Sequence, residues 1–291
     1  MNVDIIVCVH NSPDDVKACL TSVLPSLSAQ TRLIIVDDGS AKETEELCEA
    51  IAATKSDYIR LIRRPEGSGF ARAANNGLRE STGDMVVLLN SDTIVAGDWV
   101  ERLKACMLLR PEIGIVGPLS NAASWQSVPE FRGKDGKLAV NPVPDDPAVI
   151  EQIHIACADF AKLYDYPFVE QINGFCYAIR RSLLDTIGLF DEEAFPFGYG
   201  EENDFSFRAG EAGFVCAIAI DCFVYHAKTK SYSSERRAKL TEAGQAVLRG
   251  RYGKPRLQSA VRSCQRHPVM TAIREHSRVL FRKNGWLNAG G

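Results

Sequence analysis

Short apolar runs, each stopped by polar residues, recur through the first half of the chain. VDIIVCV at 3–9, RLIIV at 32–36, YIRLIR at 58–63 and MVVLL at 85–89 have the length and branched-chain content of strands buried on both faces. Between them, residues 14–24, 43–54 and 71–81 space their apolar side chains as helices do, and a helix at 98–109 and a short strand at 113–116 continue the pattern. This alternation predicts an α/β fold with parallel strands and right-handed crossovers. Ser12-Pro13 reads as a capped helix start with proline in the first turn. From 119 to 165 the pattern weakens, with prolines at 129, 142, 144 and 147, which predicts a long irregular segment over the sheet face. A strand at 174–180, a helix at 182–187, a loop at 190–200, a helix at 201–212 and a strand at 214–224 follow, and residues 234–283 read as mainly helical.

Composition narrows the class. A chain of 291 residues with 45% hydrophobic and 24% charged content suits one large α/β domain with a C-terminal appendage. A net charge of −3 gives no global case for nucleic acid, and no apolar run reaches membrane-spanning length. The first residues read as a strand rather than a signal peptide. Nine scattered cysteines without a Cys-x-x-Cys pair predict free thiols in a reducing, cytoplasmic setting. Residues 236–283 are strongly basic; the expectation is a solvated helical face, with docking to an anionic membrane or a neighbouring domain as the alternative.

The candidate chemistry sits where strands end. The run at 85–89 stops at Asn90-Ser91-Asp92, and in open α/β sheets ligands bind at the carboxyl ends of strands. A carboxylate there can hold a divalent cation, and the cation a diphosphate. Asp37-Asp38-Gly39-Ser40 ends the second strand; its acids either accept from a nucleobase or ribose, or turn the chain and cap the next helix. Gly67-Ser68-Gly69-Phe70 opens a helix where backbone can approach phosphate, although it is neither a Walker loop nor Gly-x-Gly-x-x-Gly. Three acids (Glu201, Glu202 and Asp204) follow a glycine-rich loop at a helix start, where one can serve as a general base and others favour the helix dipole. His226 follows the last strand, either as a packed residue or as a ligand beside Asp92; oxygen-rich coordination with one imidazole suits Mn²⁺ or Mg²⁺.

In this order the segments VCVHN, IIVDDGS, GSGFARAANNG, VVLLNSD, NGFCYAIRR, GYGEENDF and VYHAKTKS resemble family 2 glycosyltransferases of the GT-A fold, collinearly across residues 2–231. The resemblance implies residues 1–232 as the transferase domain, with 1–118 as its nucleotide-sugar half and 119–232 as its acceptor half, followed by a basic helical extension at 233–291. It implies that Cys8, Val9, His10 and Asn11 line the nucleotide, that Asp38 meets the base, and that Gly69, Phe70, Asn75, Asn90, Ser91 and Gly174 shape the donor pocket. Asp92 and His226 would hold the metal, and Glu202 would be the base beside Glu201, with Asp204 as a helix-start partner. Asn121 and Trp125 are expected acceptor contacts, Trp125 offering a stacking face if it is not in the core.

Three positions depart from the family pattern. Asn90 opens the metal motif where an Asp is usual, Glu202 stands for the usual Asp, and Gly67 stands where Asn is common. The implied activity is inverting transfer from a dTDP- or UDP-sugar, dTDP-rhamnose slightly ahead, to a bacterial surface polysaccharide or lipid-linked glycan of the O-antigen or capsule type. A nucleotidyltransferase is disfavoured because VHNSPDD, and not a glycine-rich basic loop, follows the first strand. A non-catalytic binding module of the same fold would be expected to lose acids that this chain retains.

Overall fold

Four parallel strands, β1 (Val3–Val9), β2 (Thr31–Asp38), β3 (Ile59–Arg64) and β4 (Met85–Asn90), pair in the order β3-β2-β1-β4 in the computed structural model, which describes residues 1–228 and 234–287. The 229–231 end of the histidine segment and the expected boundary at 232/233 lie outside the described residues. Ile5 and Val7 face one core, Ile6 the other, and all three are fully buried. Burial on both faces is why β1, β2 and β4 read as continuous apolar runs, whereas the edge strand β3, half-buried, carries three arginines. The crossover helices are α1 (Pro13–Val23), α2 (Lys42–Thr54) and α3 (Phe70–Glu80).

Beyond β4 the chain departs from purely parallel order. A two-residue strand β5 (Thr93–Ile94), helix α4 (Trp99–Leu108) and strand β6 (Ile113–Leu119) come next in sequence. Yet β8 (Cys176–Arg180) occupies the place between β4 and β6 and runs antiparallel to both. Strand β9 (Val215–Phe223) is parallel to β6, and β7 (Phe168–Val169) closes the edge antiparallel to β9. The full order is β3-β2-β1-β4-β8-β6-β9-β7, a mostly parallel sheet flanked by helices.

Two local expectations are corrected. Ser12 makes no side-chain cap; Asn11 and Ser12 both take left-handed backbone angles instead. The segment expected to be irregular contains helix α5 (Pro147–Cys157) and a short helix α6 (Phe160–Leu163). Asp146 accepts from Ala148 N at 2.8 Å and Pro147 occupies the first turn, so the last proline starts a helix rather than breaking one. Ile150, Ile153 and Cys157, spaced on one helical face, are buried against the sheet.

After helix α7 (Arg181–Ile187) and α8 (Glu201–Glu211), the chain ends in α9 (Ser234–Tyr252), α10 (Lys254–Gln265) and α11 (Pro268–Asn284). Most of their basic side chains are exposed, as expected of a solvated face, among them Arg249, Lys254, Arg262, Arg266, Arg282 and Lys283, but a few are used for docking. Arg251 pairs with Asp191 and Asp204, Arg256 with Glu211, and Arg278 with Glu130. Arg274 is 3% exposed, donates to the carbonyls of Trp125, Ser127 and Gln265, and lies over the Phe131 ring. Burial pulls its guanidinium down to about 10. Four arginines of the extension, Arg251, Arg256, Arg274 and Arg278, thus fasten it to the sheet domain. Among the described residues no helix is long and apolar enough to cross a membrane, and all nine cysteines are free thiols.

Candidate functional site

A cleft of about 480 Å³ opens at the carboxyl edge of the parallel strands, within the range of small-molecule sites. Strand register aligns its floor: Cys8 lies between Val36 and Asn90, so the ends of β1, β2 and β4 reach the same level. Because β8 runs the other way, its leading residues Asn173, Gly174 and Phe175 enter from that same edge. The first turn of α8 closes the far wall.

On the β2 side, Asp38 organises the glycine loop. Its carboxylate accepts from Ser68 N at 2.9 and 3.0 Å, Ser68 Oγ at 2.9 Å and Gly69 N at 2.9 Å, with the Arg64 guanidinium at 3.1 Å. Gly69 has a φ of +96°, and a side chain there would run into the Pro196 carbonyl, so this close approach needs glycine. His10 donates from Nδ1 to Asp38 O at 2.8 Å, which fixes its ring at the cleft edge. Asn11 binds the backbone of Ala41 and the hydroxyl of Ser40, and so holds the β1 and β2 loops together.

The metal-type pair is assembled by a second, small sheet. Strand β10 (Tyr225–His226) pairs with β5, setting His226 opposite Thr93, and Ala227 N donates to Asp92 O at 2.9 Å. His226 Nε2 then lies 3.3 Å from Asp92 Oδ1. The other ring nitrogen, Nδ1, is 2.9 Å from Ala122 O, an acceptor only, which assigns the proton to Nδ1 and leaves the Nε2 lone pair facing the carboxylate. Two acceptors aimed at one another across that gap suit a cation held between them. Phe175 stacks on the imidazole at 5.2 Å, and Asn121 grips the His226 backbone both ways, at 2.8 and 3.1 Å. Among the described residues no group of three or more His, Cys, Asp or Glu side chains converges as a metal cage, so further oxygens would come from the ligand.

Opposite this pair stand Glu201 and Glu202, whose arrangements differ. Glu201 is buried and turns its carboxylate back to Gly200 N at 3.1 Å. Glu202 packs beside Gly174, and its buried Oε2 has no hydrogen-bond partner. Such an orphaned atom in a cleft is a functional signal. Burial pushes the carboxyl of Glu202 up, and burial reinforced by the Glu202 charge pushes Glu201 well up.

The loop before α8 is strained: Gly198, Tyr199 and Gly200 all have positive φ, and Tyr199 carries a side chain at +68°. Helix α9 braces this loop. A Cβ at Gly244 would collide with the Tyr199 carbonyl, and Leu248 reaches within 3.3 Å of where a Gly200 side chain would stand. Asp204 completes the brace. It is fully buried, with Arg251 Nη1 at 2.7 Å, Tyr252 Oη at 2.8 Å and Arg208 Nε at 2.8 Å.

Cys8, Val9, His10, Asp38, Gly69, Phe70, Asn90, Ser91, Asp92, Gly174, Glu201, Glu202 and His226 thus all line the cleft. Five expected residues lie outside it, Asn11 among them, its side chain and backbone spent on joining the β1 and β2 loops. Asn75 bonds the Phe190 carbonyl and Glu192, pinning α3 to the 190–192 loop. Asn121 stands behind His226 with its amide fully used. Trp125 is 8% exposed in the core, its Nε1 donating to Gln171 O at 3.0 Å, so it offers no stacking face. Asp204 points into the α8–α9 contact. Sequence reading missed Phe175 and Lys228; each stands within two residues of a motif position, Gly174 and His226, and that adjacency was the available signal.

Comparison with known proteins gives consistent results. Residues 4–121 match the family model "Glycosyl transferase family 2". The glycosyltransferase GlyA of Streptococcus pneumoniae is 29% identical over 203 residues, covering 69% of this chain and 27% of that protein. The pre-mycofactocin glycosyltransferase of Mycobacterium tuberculosis is 26% identical over 212 residues, covering 73% of this chain and 40% of the other. The chain therefore spans well under half the length of these two relatives. Among solved structures, the mannosyltransferase PcManGT from Pyrobaculum calidifontis, in complex with GDP-Man and Mn²⁺, superposes with a TM-score of 0.61 at 17% identity, over 98% of this chain and 76% of that one. GalNAc-T7 with UDP, GalNAc and Mn²⁺ gives 0.62 at 16% identity, over 98% and 58%. These likenesses establish the fold.

The brace on α8 has a measurable cost when removed. Asp204→Ala strands three donors and is expected to lower unfolding free energy by on the order of 2 kcal/mol in urea titrations. An unchanged midpoint and slope would mean that α9 is not fastened through this carboxylate.

Proposed function

We propose that this chain, whose residues 4–121 match the family 2 glycosyltransferase model and whose fold is of the GT-A type, transfers a glycosyl group from a nucleoside-diphosphate sugar to an acceptor hydroxyl, with a divalent cation and with Glu202 as base. The observation that carries this reading is the opposition, within one cleft, of an unpartnered carboxylate oxygen on Glu202 to the Asp92–His226 pair.

The residues present fit a hard divalent cation such as Mn²⁺ or Mg²⁺, one carboxylate oxygen and one imidazole nitrogen facing a common point. When bound, that cation would offset the charge developing on the leaving diphosphate. Asn90 in place of an acid leaves the site one negative charge lighter, so Asp92 is its chief anchor. The ends of β1 and β2, with His10 and Asp38, hold the nucleoside; Gly69 and Gly174 let backbone approach the donor closely. Glu202 accepts the acceptor hydroxyl proton as that oxygen attacks the anomeric carbon. Its raised pKa brings it closer to a base's working range.

A single displacement with inversion is supported by the one unpartnered carboxylate oxygen in the cleft among the described residues, on Glu202, opposite the Asp92–His226 pair. Glu201 is turned into its own helix start and offers no second nucleophile. A pyrimidine donor, a dTDP- or UDP-sugar with dTDP-rhamnose first, is supported by the likeness of SNAASWQSVP to bacterial polysaccharide transferases. The acceptor is then a bacterial surface polysaccharide or lipid-linked glycan, and the setting the cytoplasm near the membrane face. In domain terms, 1–232 forms the transferase unit and 233–291 an extension that braces α8.

Glu202→Gln is expected to lower kcat by about 10² to 10⁴-fold with donor affinity retained. In the unaltered protein kcat/KM should fall as pH drops, with its acid limb above the ordinary glutamate range, because only the ionised carboxylate accepts the proton. Full turnover in the variant would move the base elsewhere. Chelation by EDTA should abolish transfer and added Mn²⁺ or Mg²⁺ restore it, and undiminished transfer in EDTA would remove the metal role from Asp92 and His226.

A further inference from the structure

The cleft is unbalanced in charge. Asp15, Asp38, Asp92, Glu201 and Glu202 all line it, whereas Lys228 is the one lysine or arginine among its described lining residues. A nucleoside diphosphate is itself a polyanion, and entry into an acidic, partly desolvated cleft is opposed unless cationic groups meet its phosphates. Lys228 stands two residues beyond His226 and so extends the β10 end of the metal-type pair. Its backbone is left-handed, φ +63°, an uncommon state for a residue with a side chain and one that recurs at functional sites. It is also near enough to Glu202 for its charge to oppose the rise in that carboxyl's pKa. It thus shares one cleft with the proposed base and with the Asp92–His226 pair.

We propose that Lys228 is a leaving-group residue: its ammonium binds the donor diphosphate beside Asp92 and His226 and offsets the charge that appears on the β-phosphate oxygen. The proposal rests on the transfer reading above. In the step it serves, the acceptor oxygen forms a bond to the anomeric carbon and its proton passes to Glu202. The bond from that carbon to the β-phosphate oxygen breaks with its electron pair on the oxygen, so the departing diphosphate gains one negative charge. An ammonium within hydrogen-bonding reach of that oxygen is worth more as the charge develops than in the ground state, which makes its contribution catalytic as well as binding. A flexible point charge suits a phosphate oxygen whose charge changes during the step.

The test separates phosphate recognition from nucleoside recognition. Calorimetric Kd values would be measured for UDP, dTDP, GDP, ADP and CDP, with Mn²⁺ and with EDTA, and the tightest diphosphate carried forward with its monophosphate. Lys228→Ala should weaken the diphosphate by about tenfold or more while changing the monophosphate by less than about twofold, and Lys228→Arg should recover most of the loss. Thermal unfolding of each variant checks that the fold is intact, as expected for an exposed side chain. Equal weakening of both nucleotides, or an unchanged diphosphate Kd, would overturn the assignment while leaving the transfer reading standing. Failure of the unaltered protein to bind any of the five diphosphates would instead overturn the transfer reading.

Discussion

The direction of one strand governs this molecule's geometry. β8 runs antiparallel between β4 and β6, so its leading residues open on the edge where β1, β2 and β4 end. With β8 parallel, Gly174 and Phe175 would lie at the opposite edge, away from His226 and Glu202. Reversed, it supplies the ring that stacks on His226 and the glycine against which Glu202 packs. The nucleotide-side strands and the acidic helix thereby meet in one cleft.

The side chains proposed to act in that cleft are positioned by neighbours outside it. Asn121 and Ala122 fix the backbone and ring of His226, and the β5–β10 pairing fixes Asp92 opposite it. Asp38 is occupied with the Ser68–Gly69 amides, so it shapes the glycine loop as well as lining the cleft. The C-terminal helices belong to the same support. Asp204, Arg251 and Tyr252 join α8 to α9, and Gly244 admits α9 against the strained turn that aims Glu202. Preorganisation of this kind lets a site act without reorganising at the moment of reaction.

The first four strands and three helices were legible in the sequence because burial on both faces writes long apolar runs and helical spacing is regular. So were the cleft residues at strand ends, where Asn90-Ser91-Asp92 and Asp37-Asp38 interrupt those runs. Strand direction was not legible, since CYAIR reads alike whether parallel or antiparallel. Helix α5 was masked by Pro147, which marks a helix start only once Asp146 is seen to cap it. Asn121 and Trp125 look like contact residues in a polar stretch, and only their tertiary partners, the His226 backbone and Gln171 O, reveal inward roles. Lys228 was passed over because a lysine after a motif is unremarkable until the charge of its surroundings is known.

The central claim is one displacement, with Glu202 as its base. The most direct measurement is proton NMR of the anomeric centre in the first product formed from a nucleotide sugar of known configuration. The account predicts inversion, an α-linked donor giving a β-linked product. Retention would contradict it, since that outcome requires a second nucleophile that the position of Glu201 does not provide.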